Sequence, residues 1–533
     1  MGKKFTAIIL ALAVLFTAFA IPAYAAKEVT SSAERGLYRV VDKVLDVLVG
    51  GISALIKEPD WVNKKDFVSE NFYEGLAPEE FRDEPADDSV WMIGYSNGSI
   101  QTGNELDGEH YVGGSLSITK KVATDIRDDQ KVRTVAISDG RGISIFSSID
   151  CYGISNPDVR GIRAQFEEYA KANNLNITAI NISALHQHSC VDTFGLNGDL
   201  LGALFFSSIR NIFGKELPNG QNEEFMENLY NVTVNTMIDA VKDMQPGKLY
   251  FGTADSEQYI KDKRNPQIYD KNLNRLRFVP DAEGEKETWI VNGNIHCVGN
   301  GAAGTIITGD YPYYMEKYIN ENANANLFYI LGAELALTSQ GDSVEKDPQL
   351  VEEYGDRYAG LVAFGTALGK VLCSIDNDEP VEPVFNIRME EIFVPVENNI
   401  LKLAAKGGLL TNQIVKTGIG KYEVHSEIGY AEFGKNIAVA IIPGEIAPEI
   451  VFGGTVSAAD SWDGTEWKYP SFSEVAGNRK LIVFGITNDQ IGYLLPDNEW
   501  HSYLTENEEI VSIGQDAGAC VVEAYLSLYN KVR

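Results

Sequence analysis

The run Ile177-Thr178-Ala179-Ile180-Asn181-Ile182-Ser183-Ala184-Leu185-His186-Gln187-His188 packs apolar and β-branched residues into one strand length and ends in two histidines. Residues 159–172, just before it, carry apolar side chains at helical spacing. A helix leading into a buried strand is the repeating unit of an α/β protein. Working outward, 135–138 and 143–149 read as strands of a hairpin around Asp139-Gly140-Arg141-Gly142. Residues 222–244 read as a long helix stopped by Pro246-Gly247, then a strand over 248–253. Strands are expected at 289–296 and 327–337, and helices at 313–322 and 354–375. A strand over 437–442 runs into Pro443-Gly444-Glu445 and a helix-like run from Ile446. Residues 481–487 repeat that logic, and 517–531 form a closing helix. The alternation predicts an α/β fold, a layered mixed β-sheet flanked by helices.

The start of the chain has a different character. Lys3 and Lys4 precede an apolar run over 5–20, then Pro22 and Ala23-Tyr24-Ala25, the pattern of a secretory signal peptide over 1–25. Residues 26–88 begin with an amphipathic helix, on which Leu37, Val40, Val41, Val44, Leu45, Leu48 and Ile52 recur at helical spacing, and end in a charged connection. That helix is expected to pack on its own domain. Residues 89–533 are expected to form one large catalytic domain. No later stretch of about 18 apolar residues occurs, so no stable membrane anchor is expected, and the mature chain should be secreted or extracytoplasmic.

Of 533 residues, 45 are Lys or Arg and 76 are Asp or Glu, a net charge of −31. A surface this acidic repels nucleic acid and anionic headgroups. A hydrophobic share of 44% and a charged share of 23% are those of a folded globular chain. The five cysteines lack C-x-x-C spacing, which argues against a structural zinc knuckle.

Only six histidines are present, and two form His186-x-His188 at a strand end. In an extended segment both imidazoles point the same way. His296 ends a second apolar strand, and Glu445 sits in a Pro-Gly-Glu turn after a third. Strand ends are where α/β folds place ligands. Two histidines, a carboxylate and an open position form the usual set of a catalytic zinc site, where the ion acidifies water and polarises a carbonyl. Such chemistry suits hydrolysis of an amide or ester.

These motifs, in this order, resemble the catalytic domain of the neutral/alkaline, non-lysosomal ceramidases. The resemblance runs from about Trp91 to Tyr529. It rests on Met92-Ile93-Gly94-Tyr95, Ser183-Ala184-Leu185-His186-Gln187-His188-Ser189, Gln245-Pro246-Gly247-Lys248-Leu249, Arg264-Asn265-Pro266, His296, Gly309-Asp310-Tyr311-Pro312, Pro443-Gly444-Glu445 and Asn488-Asp489-Gln490-Ile491-Gly492-Tyr493. It implies Zn2+ held by His186, His296, Glu445 and Tyr493. It implies His188 and Arg264 beside the substrate carbonyl, with His188 also relaying protons, and Asp310 in a supporting role at a helix start. The family's serine has two alignments here. In one it falls on Leu331 or Gly332 and is absent; in the other, gapped, Ser339 takes its place. The family's S-G-P-G run is replaced by Ser189-Cys190-Val191-Asp192, and Gln490 stands where it has a tyrosine. Its C-terminal immunoglobulin-like domain is not expected.

The resemblance implies hydrolysis of the N-acyl amide of a ceramide-like lipid. Two alternatives stand beside it: a zinc hydrolase of another amide or ester, and a non-catalytic ligand-binding member of the same fold. The partner is in each case a lipid or small molecule.

Overall fold

The computed structural model describes residues 32–56, 58–114, 120–198, 220–302, 304–340, 343–503 and 509–533; the expected leader over 1–25 lies outside them. Nine strands make the larger sheet. Their spatial order is Ala325–Leu331, Glu287–Gly293, Asn272–Pro280, Gln245–Asp255, Trp91–Ser99, Lys131–Ser138, Ile143–Ile149 and Ile177–Ala184, with Glu379–Val381 beside Gln245–Asp255. The second sheet runs Phe385–Pro395, Lys421–Phe433, Ile437–Ile441 and Lys480–Phe484, with Ile414–Gly418 beside Lys421–Phe433.

Most neighbours in the two sheets are antiparallel, and three pairs are parallel. Ile143–Ile149 pairs with Ile177–Ala184, Glu287–Gly293 with Ala325–Leu331, and Ile437–Ile441 with Lys480–Phe484. A parallel pair needs a crossover. Here the crossovers contain the helices Asn156–Ala172 and Asp310–Asn322, and the short pair Pro448–Phe452 and Phe472–Ala476.

Side chains alternate across each strand. Val135, Ile137, Phe146, Phe328 and Ile330 of the larger sheet meet Phe385, Phe433, Ile441 and Phe484 of the second. The intervening Val132, Ala136, Ile145, Ile149 and Leu327 pack with Phe166, Phe225, Met315 and Phe364 from four helices. The second sheet packs Val424 and Tyr430 with Val521 and Tyr525 of the last helix, Ala517–Val532. The layers are therefore helices, sheet, sheet, helix. The larger sheet also curls: Ser148 Oγ donates to the carbonyl of Tyr329 (2.6 Å) and the Tyr95 hydroxyl to that of Leu327 (3.2 Å), reaching its edge strand from interior ones.

The expected layered mixed sheet flanked by helices is present, divided into two sheets. The second grows from the pair Phe385–Pro395 and Lys421–Phe433, whose Glu390, Glu391, Glu423 and Glu427 interrupt the apolar alternation that marks a strand. Two strand ends also move. The strand expected to reach His296 stops at Gly293, and the one expected over 327–337 stops at Leu331; Leu337–Ser339 is a separate strand paired with Ile260–Asp262. The helix expected from residue 313 begins at Asp310. Pro246-Gly247 follows the helix Glu223–Lys242 as expected, but the next strand, Gln245–Asp255, already includes it. Gly94 has a packing reason: a Cβ there would strike the Ala240 carbonyl, so only glycine lets the helix Glu223–Lys242 seat on the strand.

The N-terminal helix Ser32–Leu55 is present. Val49 packs with Ile400, Leu403 and Leu409, while Leu37, Val40, Val44 and Val47 are exposed. No described helix is long and apolar enough to cross a membrane.

One buried ionic cluster ties the layers together. Arg163 on the helix Asn156–Ala172 donates to both Glu427 oxygens (2.8 Å each) and to the Ile180 carbonyl, and Arg160 donates to Glu427 and Glu391. Removing one partner of a buried pair leaves the other charge uncompensated. Glu427→Ala should destabilise the protein by about 3–5 kcal/mol in urea unfolding. A loss below 1 kcal/mol would show that the cluster does not hold the layers.

Candidate metal centre

All six strands of the three parallel pairs deliver a residue to one place from their carboxyl ends. Ile143–Ile149 leads to Tyr152, Ile177–Ala184 to His186 and His188, and Glu287–Gly293 to His296. Ala325–Leu331 leads to Glu334, Ile437–Ile441 to Glu445, and Lys480–Phe484 to Gln490 and Tyr493. Residues of the two sheets are stitched at this end. Asn488 accepts from the Ile182 amide at 2.9 Å and its amide donates to the Ile182 carbonyl at 2.7 Å, while the Ala184 amide donates to the Ile486 carbonyl. The His188 amide donates to the carbonyl of Cys297, joining the two histidine segments directly.

His186 Nδ1 lies 2.8 Å from the Tyr152 carbonyl, and His296 Nδ1 lies 2.9 Å from that of Leu337. A carbonyl only accepts, so each Nδ1 carries a proton and each Nε2 is the nitrogen left to face the centre. Those two Nε2 atoms converge on Glu445 Oε2, at 3.4 and 3.0 Å. Gln490 Nε2 donates to the other Glu445 oxygen at 2.9 Å. Ligand atoms of His186, His188 and His296 lie within 4.8 Å of one another. Tyr152 stacks on His186 with ring centroids 4.5 Å apart.

The electrostatics follow from burial. It pushes His186 down to about 3 against the pull of Glu445, and holds His188 well below the usual imidazole range, where His296 pushes it further. Burial also opposes charge on His296, but Glu334 and Glu445 outweigh it and lift that imidazole to about 9. Glu445 is buried too, yet His186 and His296 hold it below the usual carboxylate range. Without a metal, a proton on His296 supplies the positive charge that the converging lone pairs require. Both ring nitrogens of His188 are buried and find no hydrogen bond of normal geometry among the described residues. Imidazole nitrogens and carboxylates around such a point fit a divalent metal ion.

The remaining expected residues are placed as follows. Tyr493 is the register partner of Glu445 in a two-residue parallel pair, which sets its backbone beside the centre. Arg264 is buried and ion-paired with Glu449, with Glu509 3.7 Å away; none of its described contacts reaches the histidines. Ser339, in Leu337–Ser339, has no described contact with them either. Asp310 supports the loop after His296: one oxygen accepts from the Gly299 and Tyr311 amides and the other from that of Asn300. Burial raises its carboxyl to about 6. All five cysteines are free thiols.

Tyr152, Glu334 and Gly114 escaped the sequence reading. A Cβ on Gly114 (φ 114°) would overlap the His188 backbone, so that glycine seats the second histidine. Glu334 lay inside a stretch read as continuous strand.

Gln490→Leu should leave a buried Glu445 oxygen without its donor. The expected loss is about 1–3 kcal/mol of stability in chelator-treated protein, read by urea unfolding. An unchanged midpoint would mean that Gln490 does not support Glu445.

No protein-family model matches the chain, and no curated protein matches it. Solved structures do. The crystal structure of neutral ceramidase from Pseudomonas aeruginosa superposes with a TM-score of 0.59 at 16% identity, covering 83% of this chain and 74% of that one. A structure described as ceramidase complexed with C2 gives a TM-score of 0.57 at 17% identity, covering 83% and 75%. The chain has the fold of the neutral ceramidases.

Proposed function

We propose that this protein is a zinc-dependent amidohydrolase that cleaves the N-acyl amide of a ceramide-like lipid, giving a sphingoid base and a fatty acid. The observation that carries the reading is the convergence of His186 Nε2, His296 Nε2 and Glu445 Oε2 at the wall of an apolar cleft. Tyr152, Glu445 and Gln490 line that cleft together with Phe194, Leu196, Ile400, Leu403, Leu410 and Ile491. It is partly open to solvent. Apolar walls with a few polar groups at one place suit an alkyl chain whose amide is presented to those groups. The residues of the leader support an extracytoplasmic location.

Zinc would be held by His186, His296 and Glu445, with Tyr493 beside them, and would supply the charge that acidifies water and polarises the amide carbonyl. The chain's own part is orientation and proton handling. The carbonyls of Tyr152 and Leu337 fix the tautomers of His186 and His296, and Gln490 fixes Glu445. His188, kept neutral by burial, accepts a proton from the attacking water and returns it to the leaving nitrogen. The attacking group in this reading is water rather than Ser339, which shows no contact with a base among the described residues. Arg264 is ion-paired to Glu449 and Glu509, so the developing oxyanion is left to His188, and zinc when bound would add positive charge there.

Purified protein should carry close to one equivalent of zinc, and His186→Ala should lose it. Less than about half an equivalent, unchanged in His186→Ala, would overturn the reading. Against a panel of N-acyl substrates, His188→Ala should lower turnover by about 10²–10⁴-fold, while Ser339→Ala should stay within about threefold of the unsubstituted protein. Ceramide left inert while another amide is cleaved would move the substrate assignment. The altered Cys190-Val191-Asp192 segment, which follows His188, motivates that arm of the panel.

A further inference from the structure

Glu334 has no part in the reading above, yet it is built into the centre. It is fully buried, and neither carboxylate oxygen makes a hydrogen bond of normal geometry among the described residues. Its Oε2 lies 3.4 Å from His296 Nδ1, the ring nitrogen opposite the one that faces Glu445. Oxygens of Glu334 and Glu445 and a nitrogen of His296 lie within 4.8 Å of one another. The turn that carries Glu334 also carries the other acceptor of that ring. The Leu337 amide donates to the Glu334 carbonyl at 2.8 Å, and the Leu337 carbonyl accepts from both the amide and Nδ1 of His296.

A buried carboxylate without donors is costly unless a cation compensates it. With a divalent ion at the Nε2 side of His296, an ionised Glu334 and Glu445 would carry two negative charges and three singly protonated imidazoles none, so the ion would balance the pair in place of the extra proton that His296 holds without it. We infer that Glu334 is a positioning residue for the metal, acting through His296. Its carboxylate lies 3.4 Å from the Nδ1 whose proton the Leu337 carbonyl accepts, and from there it holds the ring electrostatically and makes Nε2 a stronger donor. Its negative charge, not only its hydrogen-bond acceptor, is what the site uses. This inference rests on the metal reading under Proposed function and adds to it a residue that the ligand set does not contain.

The test uses the full chain, stripped with chelator and reloaded with Zn2+, with affinity read by chelator competition, and a parallel loading with Co2+ read by visible absorption. Glu334→Gln keeps the shape and removes the charge. It should weaken Zn2+ binding about 10–100-fold and move the cobalt bands, and Glu334→Asp should recover part of the loss. Zinc affinity within threefold of the unsubstituted protein, with unmoved cobalt bands, overturns the inference and leaves the metal reading standing. An unsubstituted protein that binds neither ion overturns both. If Glu334→Gln does not fold, the Nδ1 proton resonance of His296 in zinc-loaded protein decides. A downfield line displaced in Glu334→Asp supports the inference, and an undisplaced line overturns it.

Discussion

Two imidazole nitrogens and a carboxylate oxygen converge on one point, and the centre is built on the positive charge that such a convergence requires. His186 Nε2, His296 Nε2 and Glu445 Oε2 meet within 3.0–3.4 Å contacts because the opposite face of each ring is fixed by a backbone carbonyl. Turning either ring to relieve the convergence would break an Nδ1–H hydrogen bond in a place where no water replaces it. The arrangement persists because the backbone at four strand ends is itself fixed. Folding supplies the geometry, and the attraction comes from the proton on His296 or, in the proposed reading, from a metal ion in its place.

The backbone is fixed by the three parallel pairs. Parallel neighbours emerge at the same end of a sheet, so their following loops are gathered without long connections. Two sheets add a further requirement: their ends must coincide. Asn488 meets it by pairing its side chain and backbone with Ile182 while the chain passes on toward Gln490 and Tyr493. Asn488 and His186 both adopt left-handed backbone, φ 66° and 48°. Each is tolerated at a cost of order 1–3 kcal/mol because surrounding hydrogen bonds over-determine it. Strain of this kind collects where two elements must be aimed at one point.

This explains what could be read in the amino-acid sequence. His186, His296 and Glu445 were legible because each follows an apolar strand closely, and strand ends of parallel pairs are the natural site. The α/β alternation was legible for the same reason, since apolar runs and helical periods survive without tertiary context. The second sheet was not, because Glu390, Glu391, Glu423 and Glu427 break the apolar rhythm and are satisfied by arginines, lysines, a histidine, Ser69 and Asn156 that lie apart from them in sequence. Glu334 was hidden by its neighbours. Leu331, Ala333, Leu335 and Leu337 extend the apolar run of the strand, and nothing local marks the turn that swings the carboxylate toward His296.

The acid balance of the whole chain bears on how substrate arrives. At −31 the surface offers no attraction to anionic headgroups. The cleft at Glu445 is walled by Phe194, Leu196, Ile400 and Leu403, and the same helix that supplies Ile400 and Leu403 rests on Val49 of the N-terminal helix. In the proposed reading, recognition rests on apolar contact with an acyl chain and on a small set of polar groups at its end. The separation is physically sensible: alkyl surface gives affinity without direction, and the fixed nitrogens and oxygens at the cleft wall give direction with little affinity of their own.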